Sequence, residues 1–233
     1  MLERIYTIPI NEEFDACAED AARGCPFCAL KRRLENDQLE LALGASMMEP
    51  DVRIKTNEQG FCHRHLDEMT RRKNRLGLAL MLESHFDELR EGISDKGLAS
   101  LGSGKGKRAC ARIAELEKSC YICGRVEESL THMYDNAAAL WEEDPDFRKK
   151  LKNQPYFCLP HYRRFIEAAK ENVSKKKFAD FYDDLSTLEL AYMDSLRGDI
   201  SWFCKKFDYR YENEPWGNAK DAIERADKFL GDN

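Results

Sequence analysis

The sequence predicts an all-helical protein built on an internal repeat, with an aromatic segment and a short helix at its C-terminal end. Apolar residues recur at intervals of three and four along most of the chain, which is typical of amphipathic helices. No segment shows the strict alternation of a half-buried strand. The chain has 233 residues and is 42% hydrophobic, so it is long enough to bury a core.

The repeat relates residues 25–65 to residues 120–161. Each copy begins with a Cys-x-x-Cys pair, continues through a charged helical stretch and a Pro-Asp turn, and ends with a Cys-x-x-His pair. The offset between the copies is 95 residues at the first pair and 96 at the second, so copy two carries one additional residue. The four pairs are Cys25 with Cys28, Cys62 with His65, Cys120 with Cys123, and Cys158 with His161.

Each copy is predicted to form a helical hairpin. The apolar positions are Leu30, Leu34, Leu41 and Met48 in copy one and Val126, Leu130, Met133, Ala137 and Leu140 in copy two. Pro50 and Pro145 end these helices, because proline cannot donate the backbone hydrogen bond and disfavours helix in the residue before it.

A further helix is predicted after each Cys-x-x-His pair. In copy one its apolar face is expected to carry Leu78, Leu82, Phe86, Leu89 and Ile93. In copy two the apolar run extends from Tyr162 to Tyr192, with a bend near Asn172 and Ser174. Asn218 is predicted to cap a last helix that presents Ala222, Ala226 and Phe229 on one face.

The predicted organisation has four parts. Residues 1–91 form the first repeat and residues 109–197 the second, while residues 198–233 form the aromatic segment and final helix. Residues 92–108 are rich in glycine and serine and poor in apolar residues, which favours a flexible linker.

The cysteine and histidine pairs have the spacing of metal ligands. Two cysteines on one turn can bind the same ion, and a third thiolate with an imidazole completes a tetrahedral Cys₃His set. The order along the chain predicts one site within each copy: Cys25, Cys28, Cys62 and His65 in the first, and Cys120, Cys123, Cys158 and His161 in the second. His65 is preferred to His63 because it aligns with His161. The predicted fold is therefore two helical hairpins, each pinned by its own Cys₃His zinc site.

Two Zn²⁺ ions are the expected cofactors, because Cys₃His is a closed structural set without an open position for water. Iron–sulfur clusters are the alternative, since they are more often held by four cysteines. The three remaining cysteines, Cys17, Cys110 and Cys204, are expected to be small buried apolar residues. His85 and His132 are expected at the edge of the core rather than as ligands.

Composition limits the classes of partner. The formal net charge is −6, which does not favour general binding to nucleic acid or to anionic lipid. No apolar window reaches the length of a transmembrane helix, and the first residues lack the pattern of a signal peptide. A cytoplasmic protein is expected, with its cysteines kept reduced and available for metal.

The motifs resemble those of an uncharacterised bacterial family, one of the domains of unknown function. Its members are soluble and carry Cys-Pro-x-Cys followed by Gly-Phe-Cys-x-x-His, here residues 25–28 and 60–65. Copy two departs at Tyr121 and Tyr156, which replace the proline and the glycine. The resemblance extends to a tail of the form Phe-Asp-Tyr-Arg followed by Glu-Pro-Trp-Gly, here residues 207–210 and 214–217. It supports the metal sites and implies no activity.

Three functions remain open on the sequence. The first is a protein-interaction or regulatory module braced by structural zinc. The second is a thiol-based redox or metal sensor, because zinc-bound thiolates can be oxidised. The third is an enzyme, disfavoured because the sequence lacks a P-loop and the common hydrolase and dinucleotide-binding motifs.

The aromatic tail has two interpretations. It packs across the metal hairpins, or it forms a ligand or partner surface, since Arg and aromatic residues are common interface anchors. The candidate surface residues are Trp202, Asp208, Tyr209, Arg210, Glu214 and Trp216.

Overall fold

The computed structural model describes residues 4–94 and 106–231, and within these ranges the chain is helical and contains no strand. The all-helical prediction is confirmed. In chain order the α-helices are α1 Arg4–Glu19, α2 Pro26–Leu43, α3 Pro50–Gln59, α4 His63–Arg71, α5 Arg75–Ile93, α6 Lys107–Leu116, α7 Tyr121–Glu143, α8 Pro145–Lys152, α9 Leu159–Asn172, α10 Phe178–Lys205 and α11 Ala222–Leu230.

The chain divides into two compact units that do not coincide with the two repeats. Unit 1 contains residues 1–32 and 130–233, and unit 2 contains residues 33–129. The division falls within helix α2 and within helix α7. Of the predicted linker 92–108, residues 95–105 lie outside the described ranges, while Gly92 and Ile93 end α5 and Lys107 begins α6.

The core of unit 1 is built around aromatic rings. Phe27, which is fully buried, lies between the two cysteines of the first Cys-x-x-Cys pair. Its ring centroid is 5.0 Å from that of Phe165, 5.7 Å from Phe14 and 4.3 Å from Tyr134. Aromatic residues contribute a large buried area and prefer such tilted or edge-on contacts. This packing fixes the position at which helix α2 begins.

The core of unit 2 is smaller and more aliphatic. Its buried apolar residues include Leu39 and Leu43 of α2, Met69 of α4 and Met81 of α5. The loop before Cys62 is fixed by two hydrogen bonds, one from the first residue of α7 and one from just before that helix. Tyr121 N–H donates to Gly60 O at 3.0 Å, and Ser119 Oγ donates to Gln59 O at 2.7 Å.

Glycine is required at position 60, where φ is +60°. A Cβ atom there would approach the His85 ring at 3.1 Å and the Leu116 side chain at 3.3 Å. Only glycine adopts this backbone conformation without strain. The residue therefore allows the chain to turn sharply into Phe61 and Cys62.

Pro145 follows the end of α7 as predicted, whereas α2 ends at Leu43, well before Pro50. Pro50 and Pro145 are the first residues of α3 and α8, where the absent N–H is not needed. The predicted bend in copy two is a full break between Asn172 and Phe178. The buried face of copy two agrees with the prediction from Val126 to Leu140.

Four predicted apolar positions of copy one are wrong. Leu41 is 54% exposed, and Met48 is 70% exposed because α2 has already ended at Leu43. Phe86 is 62% exposed and Ile93 is 39% exposed. Eight residues span about 80° more than two full turns, so Phe86 rotates away from the face that Leu78 buries.

The predicted cap of the last helix is also wrong. Asn218 lies inside a short 3₁₀ helix, Gly217–Asp221, and Asp221 occupies the cap position of α11. Ala222 and Phe229 are buried as expected, and Ala226 is partly exposed. The Phe229 ring centroid lies 5.8 Å from that of Tyr156 and 5.3 Å from that of Tyr192. Among the described helices, none has the length and apolar content needed to cross a bilayer.

Glu189 of α10 is a buried carboxyl group in unit 1. It is 2% exposed, and its Oε2 accepts a hydrogen bond from Phe157 N–H at 3.0 Å. Burial raises the pKa of Glu189 to about 7, above its ordinary value of 4.5. The folded state therefore favours the protonated form more strongly than the unfolded state does.

We expect Glu189 to make unit 1 less stable as the pH rises. Its contribution should be intact below about pH 4.5 and should be lost as the pH approaches 7, by about 3 kcal/mol in total. Glu189→Gln keeps an acceptor for Phe157 N–H and cannot ionise, so it should remove this part of the pH dependence. The measurement is the free energy of unfolding at pH 5 and pH 8. Glu167→Gln, which changes an exposed carboxylate of α9 paired with Arg163, is the control. An unchanged pH dependence in Glu189→Gln would contradict the assignment.

Candidate metal centres

The structure brings the eight predicted cysteine and histidine residues into two groups of four, but it exchanges the pairs between copies. In unit 1, the Cys-x-x-Cys pair of copy one meets the Cys-x-x-His pair of copy two. The unit 1 cluster is Cys25, Cys28, Cys158 and His161. The predicted grouping of Cys25 and Cys28 with Cys62 and His65 is therefore wrong.

The unit 2 cluster is the reciprocal arrangement. It combines the Cys-x-x-His pair of copy one with the Cys-x-x-Cys pair of copy two: Cys62, His65, Cys120 and Cys123. Each cluster keeps the predicted Cys₃His composition. Within each cluster the candidate ligand atoms all lie within 4.8 Å of one another.

All four pairs occupy the same position at the start of a helix. Cys62 is the N-cap of α4 and Cys158 the N-cap of α9. Cys25 and Cys120 directly precede α2 and α7, and their carbonyl groups accept the first helical hydrogen bonds, from Ala29 and Gly124. Each cluster thus forms where two helix N-termini meet. The N–H groups and dipole of a helix N-terminus stabilise thiolates.

The unit 1 cluster has the dimensions of a single tetrahedral ion. Nδ1 of His161 lies 3.5 Å from Cys25 Sγ, 3.3 Å from Cys28 Sγ and 3.1 Å from Cys158 Sγ. The Cys28 and Cys158 sulfur atoms are 3.5 Å apart. Ideal zinc bond lengths place sulfur atoms about 3.8 Å apart and sulfur about 3.6 Å from nitrogen. The observed separations are close to these values.

The unit 2 cluster has the same dimensions. Nδ1 of His65 lies 3.3 Å from Cys62 Sγ, 3.3 Å from Cys120 Sγ and 3.4 Å from Cys123 Sγ. The Cys62 and Cys123 sulfur atoms are 3.9 Å apart. In both clusters Nδ1 of the histidine therefore faces the three sulfur atoms.

Electrostatics also favour a bound cation. Burial raises the pKa of the Cys25 thiol well above its usual value, and the nearby Cys158 and Cys28 thiols add to the shift. Partial burial, with Cys120 and Cys62 nearby, raises the pKa of Cys123 to about 12. Three thiolates at these distances repel one another unless a cation compensates their charge. The donor set therefore fits a divalent metal ion, and either cluster could hold one.

The unit 2 cluster has a polar outer shell that the sequence did not predict. Glu35 of α2 is 9% exposed, and its carboxylate accepts two hydrogen bonds from the Arg64 guanidinium, at 2.5 and 3.2 Å. Nε2 of His65 lies 3.1 Å from Arg64 Nη2 and 3.9 Å from Glu35 Oε1, so the guanidinium is the group in direct contact with the ring. Partners in the outer shell of a metal site orient a ligating histidine, and Glu35 contributes by holding Arg64 against the ring. The signal in the sequence was an acidic residue directly after Leu34, next to the apolar face of α2.

We expect Glu35→Gln to weaken metal binding at the unit 2 cluster by about 10- to 100-fold, the usual effect of losing such a partner. The substitution removes the negative charge that faces His65 and Arg64. Competition with a chelator of known affinity measures the change. Glu128→Gln, which alters an exposed carboxylate paired with Arg125 in unit 2, should bind metal as the parent protein does. Equal metal affinity in the Glu35 and Glu128 variants would show that Glu35 does not support metal binding.

The two clusters differ in exposure. In unit 1, Cys25 is 2% exposed, Cys28 is 6% exposed, and Cys158 and His161 are fully buried. In unit 2, His65 and Cys120 are buried, whereas Cys62 is partly exposed and Cys123 is exposed. The unit 2 cluster therefore contains an exposed cysteine, Cys123, whereas the three cysteines of the unit 1 cluster are buried.

The other cysteines and histidines lie outside both clusters. Cys17 is fully buried, as predicted, and burial raises the pKa of its thiol. Cys110 and Cys204 are exposed, so the prediction that they are buried is wrong. His85 Nδ1 contacts Asn57 O at 3.0 Å, and the His132 ring stacks on Tyr6 with centroids 5.5 Å apart. Both histidines are partly buried, as predicted for residues at the edge of the core.

The aromatic tail forms a small cluster of its own. Trp202 Nε1 donates to Pro215 O at 3.0 Å, and the Trp202 ring centroid is 5.7 Å from that of Tyr211. The Trp216 ring lies 5.6 Å from Phe203 and is 37% exposed. These rings contact one another. The last helix of the tail, α11, packs on unit 1 through Phe229 and also lines the groove beside the first Cys-x-x-Cys pair.

The polar candidates of the tail lie on an exposed turn. Asp208 caps the 3₁₀ helix Tyr209–Tyr211, and its carboxylate pairs with Arg210 at 2.6 Å. This pairing lowers the pKa of Asp208. Tyr209 is 84% exposed, and Glu214 is exposed. Such exposure is typical of a solvated surface and gives no support to an active site built from these residues.

Fold and clusters together define an all-helical protein with two Cys₃His clusters that could hold metal ions. The chain belongs to the family of unknown function DUF6062, whose model matches residues 1–233. No curated protein matches the chain, and neither does any solved structure.

Proposed function

We propose that each cluster binds one Zn²⁺ as a structural ion and that the chain serves as a protein-interaction or regulatory module. The observation that carries the proposal is the pair of compact Cys₃His clusters, each joining two helix N-termini. Four protein ligands leave no coordination position for water, which is typical of structural rather than catalytic zinc. The ions would brace the helices that present the module's surface.

Zinc is favoured over an iron–sulfur cluster by the size of the ligand sets. The donor atoms of each set lie within 4.8 Å of one another. A multinuclear cluster attaches its protein ligands to different iron atoms, which separates them more widely than a single ion does. Imidazole in the set also suits zinc, because iron–sulfur clusters are more often held by four cysteines.

Metal analysis of protein purified without oxygen tests the first part of the proposal. The expected result is two equivalents of zinc per chain and no visible absorption. A brown protein that contains iron and labile sulfide would instead show that the clusters hold iron–sulfur centres. Protein that folds fully without any metal would contradict both alternatives.

The module function is supported by exposed side chains of the aromatic tail. Tyr209 is 84% exposed and Phe207 is 77% exposed, beside Arg210 and the partly exposed Trp216. Aromatic residues and arginine are the usual anchors of protein interfaces. The partner is expected to be a protein, since the net charge of −6 disfavours nucleic acid.

A photo-crosslinking amino acid at position 209 tests this surface in cells. We expect a discrete adduct with a protein partner, reduced when Trp216 is replaced by alanine. The same probe at Phe86, which is 62% exposed in unit 2, is the control. Equal crosslinking from both positions would contradict a specific surface at the tail.

A redox or metal sensor is the second candidate. The exposure of Cys123 favours it, because an accessible zinc-bound thiolate can be oxidised or can exchange its metal.

A further inference from the structure

The two clusters have the same donor atoms but differ in the solvent exposure of their cysteine residues. Both contain three cysteines and one histidine at matching distances. Their intrinsic affinity for zinc should therefore be similar, and any difference in reactivity should come from their surroundings. The surroundings differ most at Cys123 and Cys62, which are exposed and partly exposed.

We propose that the unit 2 cluster is an oxidation-sensitive site that releases its zinc on reaction with a hydroperoxide, whereas the unit 1 cluster retains its zinc. This inference rests on the proposed function, because it requires zinc in both clusters. Cys123 is the sulfur that reacts first, and Cys62 is the sulfur that completes the reaction. Cys25, Cys28, Cys158 and His161 would stay bound to their ion and would keep the helices of unit 1 in place.

The reaction balances in two steps. The Cys123 thiolate attacks one oxygen of hydrogen peroxide and breaks the O–O bond, which gives a sulfenic acid and hydroxide. The Cys62 thiolate, whose sulfur lies 3.9 Å away, then attacks the sulfenic sulfur and displaces a second hydroxide. Two protons convert the hydroxides to water. The cysteines lose two electrons, the peroxide gains them, and the ion loses two of its four ligands.

The unit 1 cluster lacks comparable access. A groove of about 800 Å³ runs past Cys25 and Cys28, lined also by Arg23, Arg32 and Tyr156. The two cysteines nevertheless remain 2% and 6% exposed, and the third thiolate, Cys158, is fully buried. A peroxide in this groove would therefore meet little exposed cysteine surface.

The experiment uses the full chain with Cys110→Ser and Cys204→Ser, which removes the exposed cysteines that belong to neither cluster. Zinc-loaded protein is treated with hydrogen peroxide, and released zinc is followed with a chromophoric chelator. Oxidised cysteines are then located by alkylation and mass spectrometry. The expected result is loss of one of the two zinc equivalents, together with a Cys62–Cys123 disulfide and intact Cys25, Cys28 and Cys158.

Three outcomes would overturn the inference while leaving the proposed function in place. They are release of both ions together, oxidation of the unit 1 cysteines first, and retention of both ions under peroxide. Protein that contains no zinc before treatment would instead overturn the proposed function, and the inference with it. Zinc content before peroxide therefore separates the two failures.

Discussion

Cys158→Ser is expected to remove the metal ion from the unit 1 cluster and to destabilise unit 1 by several kcal/mol. Structural zinc contributes on the order of 10 kcal/mol in small domains. A typical domain is stable by only about 5–15 kcal/mol in total. Cys158 is the N-cap of α9 and lies fully buried, so its replacement leaves a three-ligand set in the interior of unit 1. Denaturant unfolding followed by circular dichroism, with metal analysis of the same samples, measures both effects.

The matched control is Cys204→Ser, the same change at an exposed cysteine of the same unit. It should keep both metal ions and unfold at the same denaturant concentration as the parent chain. If Cys158→Ser behaved like this control, the unit 1 cluster would not hold a structural ion.

Phe27→Ala is expected to cost about 3–5 kcal/mol, the range for removing a buried phenylalanine. Phe27 is fully buried, and its ring lies 5.0 Å from Phe165 and 5.8 Å from Phe157. It also lies 6.2 Å from the His161 ring. The cavity would loosen the turn that carries Cys25 and Cys28, so metal affinity should fall together with stability.

Phe207→Ala provides the comparison, because Phe207 belongs to the same unit and is 77% exposed. This control should change the free energy of unfolding by less than about 0.5 kcal/mol. Similar losses in the two variants would show that the aromatic cluster around Phe27 does not support the metal site. Thermal or denaturant unfolding of metal-loaded protein is sufficient to distinguish the results.

The chemistry of the ligands could be read from the sequence, but their pairing could not. Two Cys-x-x-Cys pairs and two Cys-x-x-His pairs can combine within copies or between them, and both combinations give the same Cys₃His composition. Chain order favoured the combination within copies. The residues that meet at a cluster are instead decided by where helix N-termini converge, which depends on tertiary packing.

The unequal lengths of the helices are consistent with the exchange of ligand pairs between the two copies. Helix α2 has 18 residues and α3 has 10, so they span about 27 and 15 Å. In copy two, α7 has 23 residues and α8 has 8, which correspond to about 34 and 12 Å. In each copy the outgoing helix is much longer than the one that follows the turn. Within one copy, the shorter returning helix would therefore not bring the Cys-x-x-His pair back to the Cys-x-x-Cys pair at the start of the longer helix.

Exposure was less predictable than helix type. Cys110 and Cys204 have apolar neighbours in sequence yet lie on exposed faces. Copy two followed its predicted face from Val126 to Leu140 because one continuous helix carries it. Copy one departed at Met48 because α2 ends at Leu43, and at Phe86 because that residue has rotated away from the buried face of α5.

The most direct test of the exchanged pairing is the zinc content of two double variants. Cys25→Ser with Cys158→Ser damages only the unit 1 cluster, so one equivalent of zinc should remain. Cys25→Ser with Cys62→Ser damages both clusters, so zinc should be lost from both. Retention of one equivalent by the Cys25/Cys62 variant, with none in the Cys25/Cys158 variant, would contradict the exchange and restore a site within each copy.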